Sequence, residues 1–311
     1  MSATNAPGAR GRVVSLDARR ALTIGGSEAA AACGVDPHRS RIMLWAEKTG
    51  RAEVVKTEAM KWGRILEPVV RDELTARGFE ITTLPFTEWT HDARPWLTGH
   101  PDGFVMLDGD QAVLEIKTGS AFTSHDWANE IGAPVPALMQ VHHYMELTGL
   151  HRGLLACLVG GQRLELRTVV RDQAVIDAML SREEKFLGYV RSDTPPPPDG
   201  TDSARDALRA LHPVSDGSTV RLDSDTYGDV RRLRLLREQR AEIERQETEL
   251  TQRIQLAMGD AEIAVSPFDT PAAKWANVNR TQLDTKALRA ERPDVYAEFA
   301  ALKSTRRFTV E

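Results

Sequence analysis

The chain has 311 residues, 41% of them hydrophobic, which suffices for one large domain or two small ones. Its net charge of -5 excludes a generally basic coat protein for nucleic acid. Basic residues confined to one channel remain compatible with that charge. The two cysteines, Cys33 and Cys157, lack the CxxC spacing of a zinc site. The first twelve residues lack the apolar core of a signal peptide, and no apolar run reaches the roughly 18 residues of a membrane span. We therefore expect a soluble protein of the reducing cytoplasm.

The N-terminal region is small, polar and basic, and we expect residues 1–18 to be flexible. Two glycines and Ser27 then lead into a short alanine-rich helix over Glu28–Cys33. Ser27 stands at the expected N-cap position of that helix. Free N–H groups at a helix N-terminus also bind phosphate, so Ser27 has two open interpretations, a cap or a phosphate ligand.

Two further helices follow. Ser40–Thr49 is predicted to be the first, and Lys61–Arg77 the second, because apolar residues recur there at helical spacing. Glu67 stands beside this apolar stripe and precedes Pro68, so the second helix should begin or bend at that point. The Glu67 carboxylate either faces solvent or reaches toward acids farther along the chain.

A β-hairpin is predicted next, formed by the apolar runs Phe104–Leu107 and Ala112–Ile116. With Gly109-Asp110 as a two-residue loop, Asp102 lies across from Lys117. Short strands are also expected just before the hairpin, within residues 79–90.

Asp102, Glu115 and Lys117 carry the clearest chemical signal. Side chains alternate along a strand, so all three share one face, with the two carboxylates roughly 7–8 Å apart or less. A divalent ion with ligand distances of about 2.1 Å fits between such carboxylates. The ion lowers the pKa of an attacking water, and a lysine ammonium orients that water during phosphodiester hydrolysis. This spacing also occurs by chance, and an exposed hairpin with paired charges is the alternative. The glycines on both sides of Asp102 favour the metal site.

A helix over Pro136–Thr148 brings Gln140 and Tyr144 onto one face, because they are four residues apart. The adjacent His142 and His143 cannot face the same way, so we interpret them as surface or packing residues. Two strands and a helix complete this region: Gly153–Val159, Arg163–Val170 and Gln173–Tyr189.

The proline run after residue 194 predicts a linker. Beyond it, Tyr227–Met258 is predicted to be a long charged helix. Leu236, Ile243, Leu250 and Ala257 recur there every seventh residue, and the companion positions are mixed: Leu233, Arg240, Glu247 and Ile254. This pattern favours a helical hairpin or a short coiled coil over a long zipper.

Several motifs together resemble the YqaJ-type viral recombinase nucleases, relatives of lambda exonuclease in the PD-(D/E)xK superfamily. They are Trp62-Gly63, Glu67-Pro68, Gly99-His100-Pro101-Asp102-Gly103, Glu115-Ile116-Lys117 and Gln140-xxx-Tyr144. The resemblance implies an α/β (α+β) fold whose restriction-endonuclease-like core is a mixed central β-sheet flanked by helices. The expected domains are an exonuclease domain over 19–193, a linker region over 194–224 and a mainly helical, coiled-coil extension over 225–311.

The resemblance also implies an activity: Mg²⁺- or Mn²⁺-dependent digestion of linear double-stranded DNA, 5′→3′, leaving 3′ single strands for recombination. By motif match, Asp102, Glu115, the Ile116 carbonyl and Glu67 form the metal site, and Lys117 positions the water. Gln140 supports the scissile phosphate or the nucleophile. The residues expected to contact DNA or its phosphates are Arg20, Ser27, His100 and Tyr144. His100 replaces an expected serine, which leaves open whether a 5′-phosphate is required.

The implied partners are double-stranded DNA ends, a single-strand annealing protein and further copies of the chain, which could form a ring. The implied setting is the cytoplasm of a bacterial host, with a phage or prophage origin. One alternative is another PD-(D/E)xK nuclease, either structure-specific or helicase-associated. Relatives with an iron–sulfur cluster held by four cysteines do not match, because this chain has two. A non-catalytic DNA-binding protein is disfavoured, because every acid and lysine position is filled.

Overall fold

A computed structural model of the chain describes residues 21–82, 88–121, 127, 132–301 and 305–310. The chain divides into two compact units, Met1–His212 and Pro213–Glu311. The N-terminus expected to be flexible, and Arg20 with it, lies outside the described residues. Among the helices that the structure describes, none combines the length and apolar character needed to cross a membrane.

A five-stranded mixed sheet forms the centre of the first unit, in the order β1-β4-β5-β6-β7. Its strands are β1 (Ile81–Thr82), β4 (Gly103–Leu107), β5 (Asp110–Gly119), β6 (Arg152–Val159) and β7 (Arg163–Val170). The β5–β6 pair is parallel and the other three pairs are antiparallel. A separate two-stranded sheet joins β2 (Trp89–Thr90) to β3 (Thr98–Gly99). The expected mixed central sheet is confirmed.

The hairpin of β4 and β5 turns one residue earlier than the sequence predicts. Leu107 pairs with Asp110, so the two-residue loop is Asp108-Gly109 and not Gly109-Asp110. Asp108 and Gly109 have φ values of 52° and 89°, the positive values that a type I′ turn needs to match the twist of the strands. The register therefore differs by two residues, which leaves the faces unchanged. Continuing the ladder, in which Gly103 pairs with Leu114, brings Asp102 opposite Glu115 instead of Lys117.

Helices pack on both faces of the sheet and on one another. In the described part of the first unit they are α1 (Gly26–Cys33), α2 (Arg41–Lys48), α3 (Glu58–Ala76), α4 (Val135–Thr148), α5 (Gln173–Arg191) and α6 (Asp202–Leu211). Val113 and Leu155 belong to the cluster of buried residues that includes α4 and α5. Leu114 and Ile116 belong to the opposite cluster, which packs against α3. The odd-numbered residues of β5 therefore face α4, and this alternation turns Glu115 and Lys117 toward that helix.

Two helix starts differ from expectation. The N-cap of α1 is Gly25, whose N–H donates to Glu28 Oε2 at 3.0 Å, and Ser27 lies inside the first turn, so the predicted Ser27 cap is wrong. Helix α3 begins after Thr57, whose side chain accepts from the Met60 N–H, and it continues through Pro68. Pro68 therefore does not start this helix.

Part of the segment predicted to be a linker is helical. Helix α6 packs Ala204 and Ala207 against Ile42 of α2. Ser203 Oγ accepts a hydrogen bond from the Ser40 N–H at 2.9 Å. Helix α5 ends at Arg191, before the proline run at 195–198, and the small apolar residues of α6 recur at helical spacing and pack within the first unit.

The second unit is mainly helical. It contains α7 (Ser224–Met258), α8 (Thr285–Glu291) and α9 (Pro293–Phe299), together with the antiparallel pair β8 (Ile263–Val265) and β9 (Pro271–Lys274). Helix α7 has 35 residues, none of them buried.

Candidate active site

Asp102 lies immediately before β4 and is anchored to the neighbouring strand. Its Oδ2 accepts a hydrogen bond from the Ile116 main-chain N–H at 2.7 Å. Burial raises the pKa of Asp102 well above its usual value, and the nearby Glu115 carboxylate raises it further. The hairpin thus holds two carboxylates close enough to repel each other, and a bound cation would reduce this repulsion.

Glu115 is the most enclosed acid of this group, with 1% of the residue exposed. Its Oε1 lies 2.7 Å from Lys117 Nζ. Its Oε2 is buried and has no hydrogen-bond partner in the described part of the chain. Burial raises the pKa of this carboxyl, against the opposing effect of the Lys117 ammonium. A buried acceptor without a donor costs about 1–3 kcal/mol, so the position calls for a functional explanation.

Lys117 is held from two sides. Its Nζ lies 2.7 Å from Glu115 Oε1 and donates to Gln140 Oε1 at 2.7 Å. Burial alone would lower the pKa of Lys117, but the Glu115 carboxylate outweighs that effect and raises it. The ammonium therefore stays charged at neutral pH and points in a fixed direction.

Tyr144 lies behind Gln140 inside the protein. Its hydroxyl accepts from Gln140 Nε2 at 3.2 Å, and the residue is 4% exposed. Its ring packs against Gly26 and Gly99, where an added Cβ would stand 2.5 Å from Tyr144 Cε1. Burial raises the pKa of the phenol well above its usual value. We expected Tyr144 to contact DNA, but the structure buries its ring and directs its hydroxyl to Gln140.

Glu67 lies near the two hairpin acids but is bound to another residue. Its carboxylate pairs with Arg71 Nη2, which also donates to the Asp102 carbonyl oxygen at 3.0 Å. The charge of Glu67 is among those that raise the pKa values of Asp102 and Glu115, so it lies within electrostatic range of both. Sequence reasoning missed Arg71, although its position four residues after Glu67 places it on the same face of α3.

The donor set fits a hard divalent cation. No group of three histidine, cysteine or acidic side chains that could hold an ion occurs among the described residues. The oxygens available are those of Asp102 and Glu115, including the unpartnered Glu115 Oε2, and the main-chain carbonyl of Ile116, the residue after Glu115. Mg²⁺ in nucleotide sites uses one or two carboxylates and completes its shell with water and substrate phosphate. Two carboxylates and an orphaned oxygen meet that requirement.

A cavity of about 530 Å³ lies on the N-terminal side of Asp102. It brings together Ser27 and His100, two of the residues expected to bind phosphate, and it is also lined by Arg39 and Lys48. Lys48 has a side chain only 5% exposed and pairs with Glu28 at 2.8 Å. Sequence reasoning missed Arg39 and Lys48, because nothing local relates them to His100.

Comparison with known proteins shows what this part of the chain resembles. Residues 16–151 match the YqaJ-like viral recombinase domain. The uncharacterized protein YqaJ of Bacillus subtilis (strain 168) is 28% identical over 294 residues, which span 93% of this chain and 91% of that protein.

Solved structures of similar shape are more distant. The alkaline exonuclease of Laribacter hongkongensis is 19% identical, with a TM-score of 0.48 over 57% of this chain and 91% of that one. A phage-related exonuclease of Haemophilus somnus 129PT is 14% identical, with a TM-score of 0.45 over 55% of this chain and 94% of that one. The resemblance predicted from the sequence motifs is confirmed by the match of residues 16–151 to the YqaJ-like viral recombinase domain.

Proposed function

We propose that the chain is a metal-dependent exonuclease that digests linear double-stranded DNA 5′→3′ and leaves 3′ single strands for phage-type recombination. The observation that carries the proposal is the buried Glu115 carboxylate, which has one oxygen 2.7 Å from Lys117 and the other without a partner, beside Asp102. Two acids and a fixed ammonium are the groups that phosphodiester hydrolysis needs. The match to the recombinase domain supports the recombination role.

Asp102, Glu115 and the Ile116 carbonyl would hold Mg²⁺ or Mn²⁺. When bound, the ion neutralises phosphate oxygens and lowers the pKa of the attacking water. Lys117 stays protonated, so it orients that water and offsets the charge that develops on the phosphate, and it does not act as a general base. Gln140 acts by fixing the Lys117 ammonium, and Tyr144 acts by fixing Gln140.

Glu67 acts through Arg71 in this proposal. The Glu67–Arg71 pair holds the main chain of Asp102, and the Glu67 charge adds to the negative potential that attracts the cation. A direct ligand role is not needed, because Mg²⁺ keeps several waters that can bridge to a nearby carboxylate.

The cavity beside His100 is the proposed position of the 5′ end of the DNA. Ser27 and His100 supply donors to a terminal phosphate there. Arg39 and Lys48 also line the cavity, where they pair with Glu47 and Glu28, and a terminal phosphate would compete with those carboxylates for the two cations. Arg20, which precedes the described part of the chain, is proposed as a further phosphate ligand. A single-strand annealing protein would take up the 3′ strand, and a ring of several copies would keep the enzyme on its DNA. This activity belongs in the bacterial cytoplasm, where a phage protein would act.

A digestion assay on linear duplexes tests the proposal, with 5′-phosphate, 5′-hydroxyl or blocked ends, in Mg²⁺, Mn²⁺ or EDTA. Digestion of open ends should require the metal and should disappear in Glu115→Gln and Lys117→Ala. The matched control is Asp110→Asn, an exposed acid at the start of the same strand, which should keep full activity. Circular dichroism confirms that each variant is folded.

Digestion that persists in Glu115→Gln or in EDTA would overturn the mechanism. Cleavage of covalently closed circles would instead favour a structure-specific endonuclease on the same fold. Equal rates on 5′-phosphate and 5′-hydroxyl ends would remove the phosphate role from the cavity while leaving the metal site unaffected.

A further inference from the structure

Helix α7 presents an apolar stripe that no described residue of its own unit buries. Leu236, Ile243 and Leu250 recur every seventh residue along it and are between 53% and 63% exposed. Helices in proteins gain most of their stability by packing an apolar face against other structure. A 35-residue helix without one buried residue therefore lacks the partner that its sequence pattern requires.

Charge is strongly segregated along α7. Residues 231–240 contain five arginines and one glutamate, whereas residues 241–250 contain four glutamates and one arginine. Three glutamates of the second stretch, Glu242, Glu244 and Glu249, pair within the helix with Arg240, Arg245 and Arg253. The first four arginines make no ion pair with any residue that the structure describes; they are Arg231, Arg232, Arg234 and Arg237. The helix thus has a basic half, whose first four arginines make no ion pair with described residues, and an acidic half.

We propose that the partner is α7 of a second copy of this chain, packed antiparallel. In a parallel pair, like positions of the seam face each other, which would put Arg240 against Arg240 and Glu247 against Glu247. Parallel pairing would also set the two basic halves side by side. Antiparallel pairing lays the basic half of one helix on the acidic half of the other.

The two-fold axis of this pair lies close to residues 241–242. Leu233 of one copy then meets Leu250 of the other, and Arg237 lies near Glu244 of the second copy. Each contact occurs twice, because a two-fold interface uses the same patch on both chains. Arg240 and Glu247 are the polar residues of the seam that argue against a long zipper. In this dimer they set the relative orientation of the two helices.

Charge reversal in the full-length chain tests the orientation. Arg237→Glu places glutamates near each other at two symmetric sites and should raise the dissociation constant of the dimer about tenfold, measured by analytical ultracentrifugation at low salt. Arg237→Glu combined with Glu244→Arg in one chain should restore the wild-type value. Glu238→Arg, on the face opposite the seam, is the matched control and should change nothing.

Disulfide trapping gives an independent reading of direction. A mixture of Leu233→Cys and Leu250→Cys chains should form a disulfide between the two variants on mild oxidation, and neither variant alone should form one. A disulfide within Leu233→Cys alone would show parallel pairing and overturn the proposal. A chain that is monomeric at every concentration, or a dimer that Arg237→Glu leaves intact, would overturn it too. Neither measurement depends on nuclease activity, so failure here leaves the proposed metal site and reaction standing, although a chain that is monomeric at every concentration would also remove the proposed ring.

Discussion

The imidazole of His143 and the carboxylate of Glu183 form a contact of 3.1 Å between two side chains that have no exposed surface. The other ring nitrogen of His143 lies 2.9 Å from the Thr98 carbonyl oxygen. Both nitrogens therefore face acceptors, and only a doubly protonated ring donates to both. The pair ties α4 to α5 and to β3, and α4 also carries Gln140. Of the two roles expected for His143, packing is correct and surface exposure is wrong.

The stability of the protein should depend on pH through His143. Burial alone would lower the pKa of His143, but Glu183 and the Thr98 carbonyl outweigh it and raise the pKa above 6.5. A group whose pKa is raised in the folded state stabilises the protein at pH values below its unfolded-state pKa. This stabilisation is lost as the pH rises through the folded-state pKa. The free energy of unfolding should therefore fall as pH rises above 6.5, measured by urea titration at a series of pH values.

Glu183→Gln should flatten this dependence, because it removes the charge that keeps the imidazole protonated. Glu184→Gln is the matched control, an exposed neighbour that should leave the slope as in the wild type. His142 does not interfere in this range, because burial lowers its pKa and its effect falls below pH 6.5. An equal slope in wild type and Glu183→Gln would show that the ion pair does not carry the effect.

Replacing Glu115 should abolish activity without weakening the fold. Its buried carboxylate repels Asp102 and leaves Oε2 unpaired, so Glu115→Gln should raise the free energy of unfolding by about 1 kcal/mol in EDTA. Lys117→Met should lower it by about 1–3 kcal/mol, because both Glu115 oxygens are then unpaired. We expect the lower end of this range for Lys117→Met, because the Lys117 side chain is 35% exposed and water reaches the site. A large loss of stability in Glu115→Gln would contradict this account.

Gly99 and Gly26 should not tolerate a side chain. Gly99→Ala would put a Cβ 2.5 Å from the Tyr144 ring and should cost about 1–3 kcal/mol in urea unfolding. Gly188→Ala is the control, because its Cβ meets nothing within 4 Å on α5 and alanine favours a helix. Gly99→Ala and Tyr144→Ala combined should cost less than the sum of the two single changes. Additive costs would show that the ring is not the obstacle.

The hairpin acids and their common face could be predicted from the sequence, because strand alternation is a local property. The predicted turn lies one residue too late. Aspartate tolerates a positive φ, and an aspartate stands on each side of Gly109, so the sequence does not distinguish an Asp108-Gly109 loop from a Gly109-Asp110 loop. The partners of His143 could not be predicted, because Glu183 lies 40 residues away and Thr98 lies 45 residues away. Arg71 was missed for a similar reason: its contact with the Asp102 carbonyl exists only once α3 packs on the sheet.

Both cysteines should resist alkylation in the native protein. Burial raises the pKa values of Cys33 and Cys157 to about 12. At pH 8 only about one thiol in ten thousand would be a thiolate, the form that reacts. Mass spectrometry after iodoacetamide treatment should therefore find unmodified protein in buffer and doubly modified protein in strong urea. Fast labelling of the native protein would mean that one of these sites opens locally.

Strand β5 is the central strand of the five-stranded sheet, and Val113 and Leu114 pair with both β4 and β6. Amide hydrogens in such strands exchange with solvent only when a large part of the structure opens. Fraying of the edge strands β1 and β7 would leave Asp102, Glu115 and Lys117 in register. A site on a loop is lost when the loop alone opens, whereas this site persists until the whole sheet unfolds. On heating, it should be lost in the same cooperative transition that unfolds the unit.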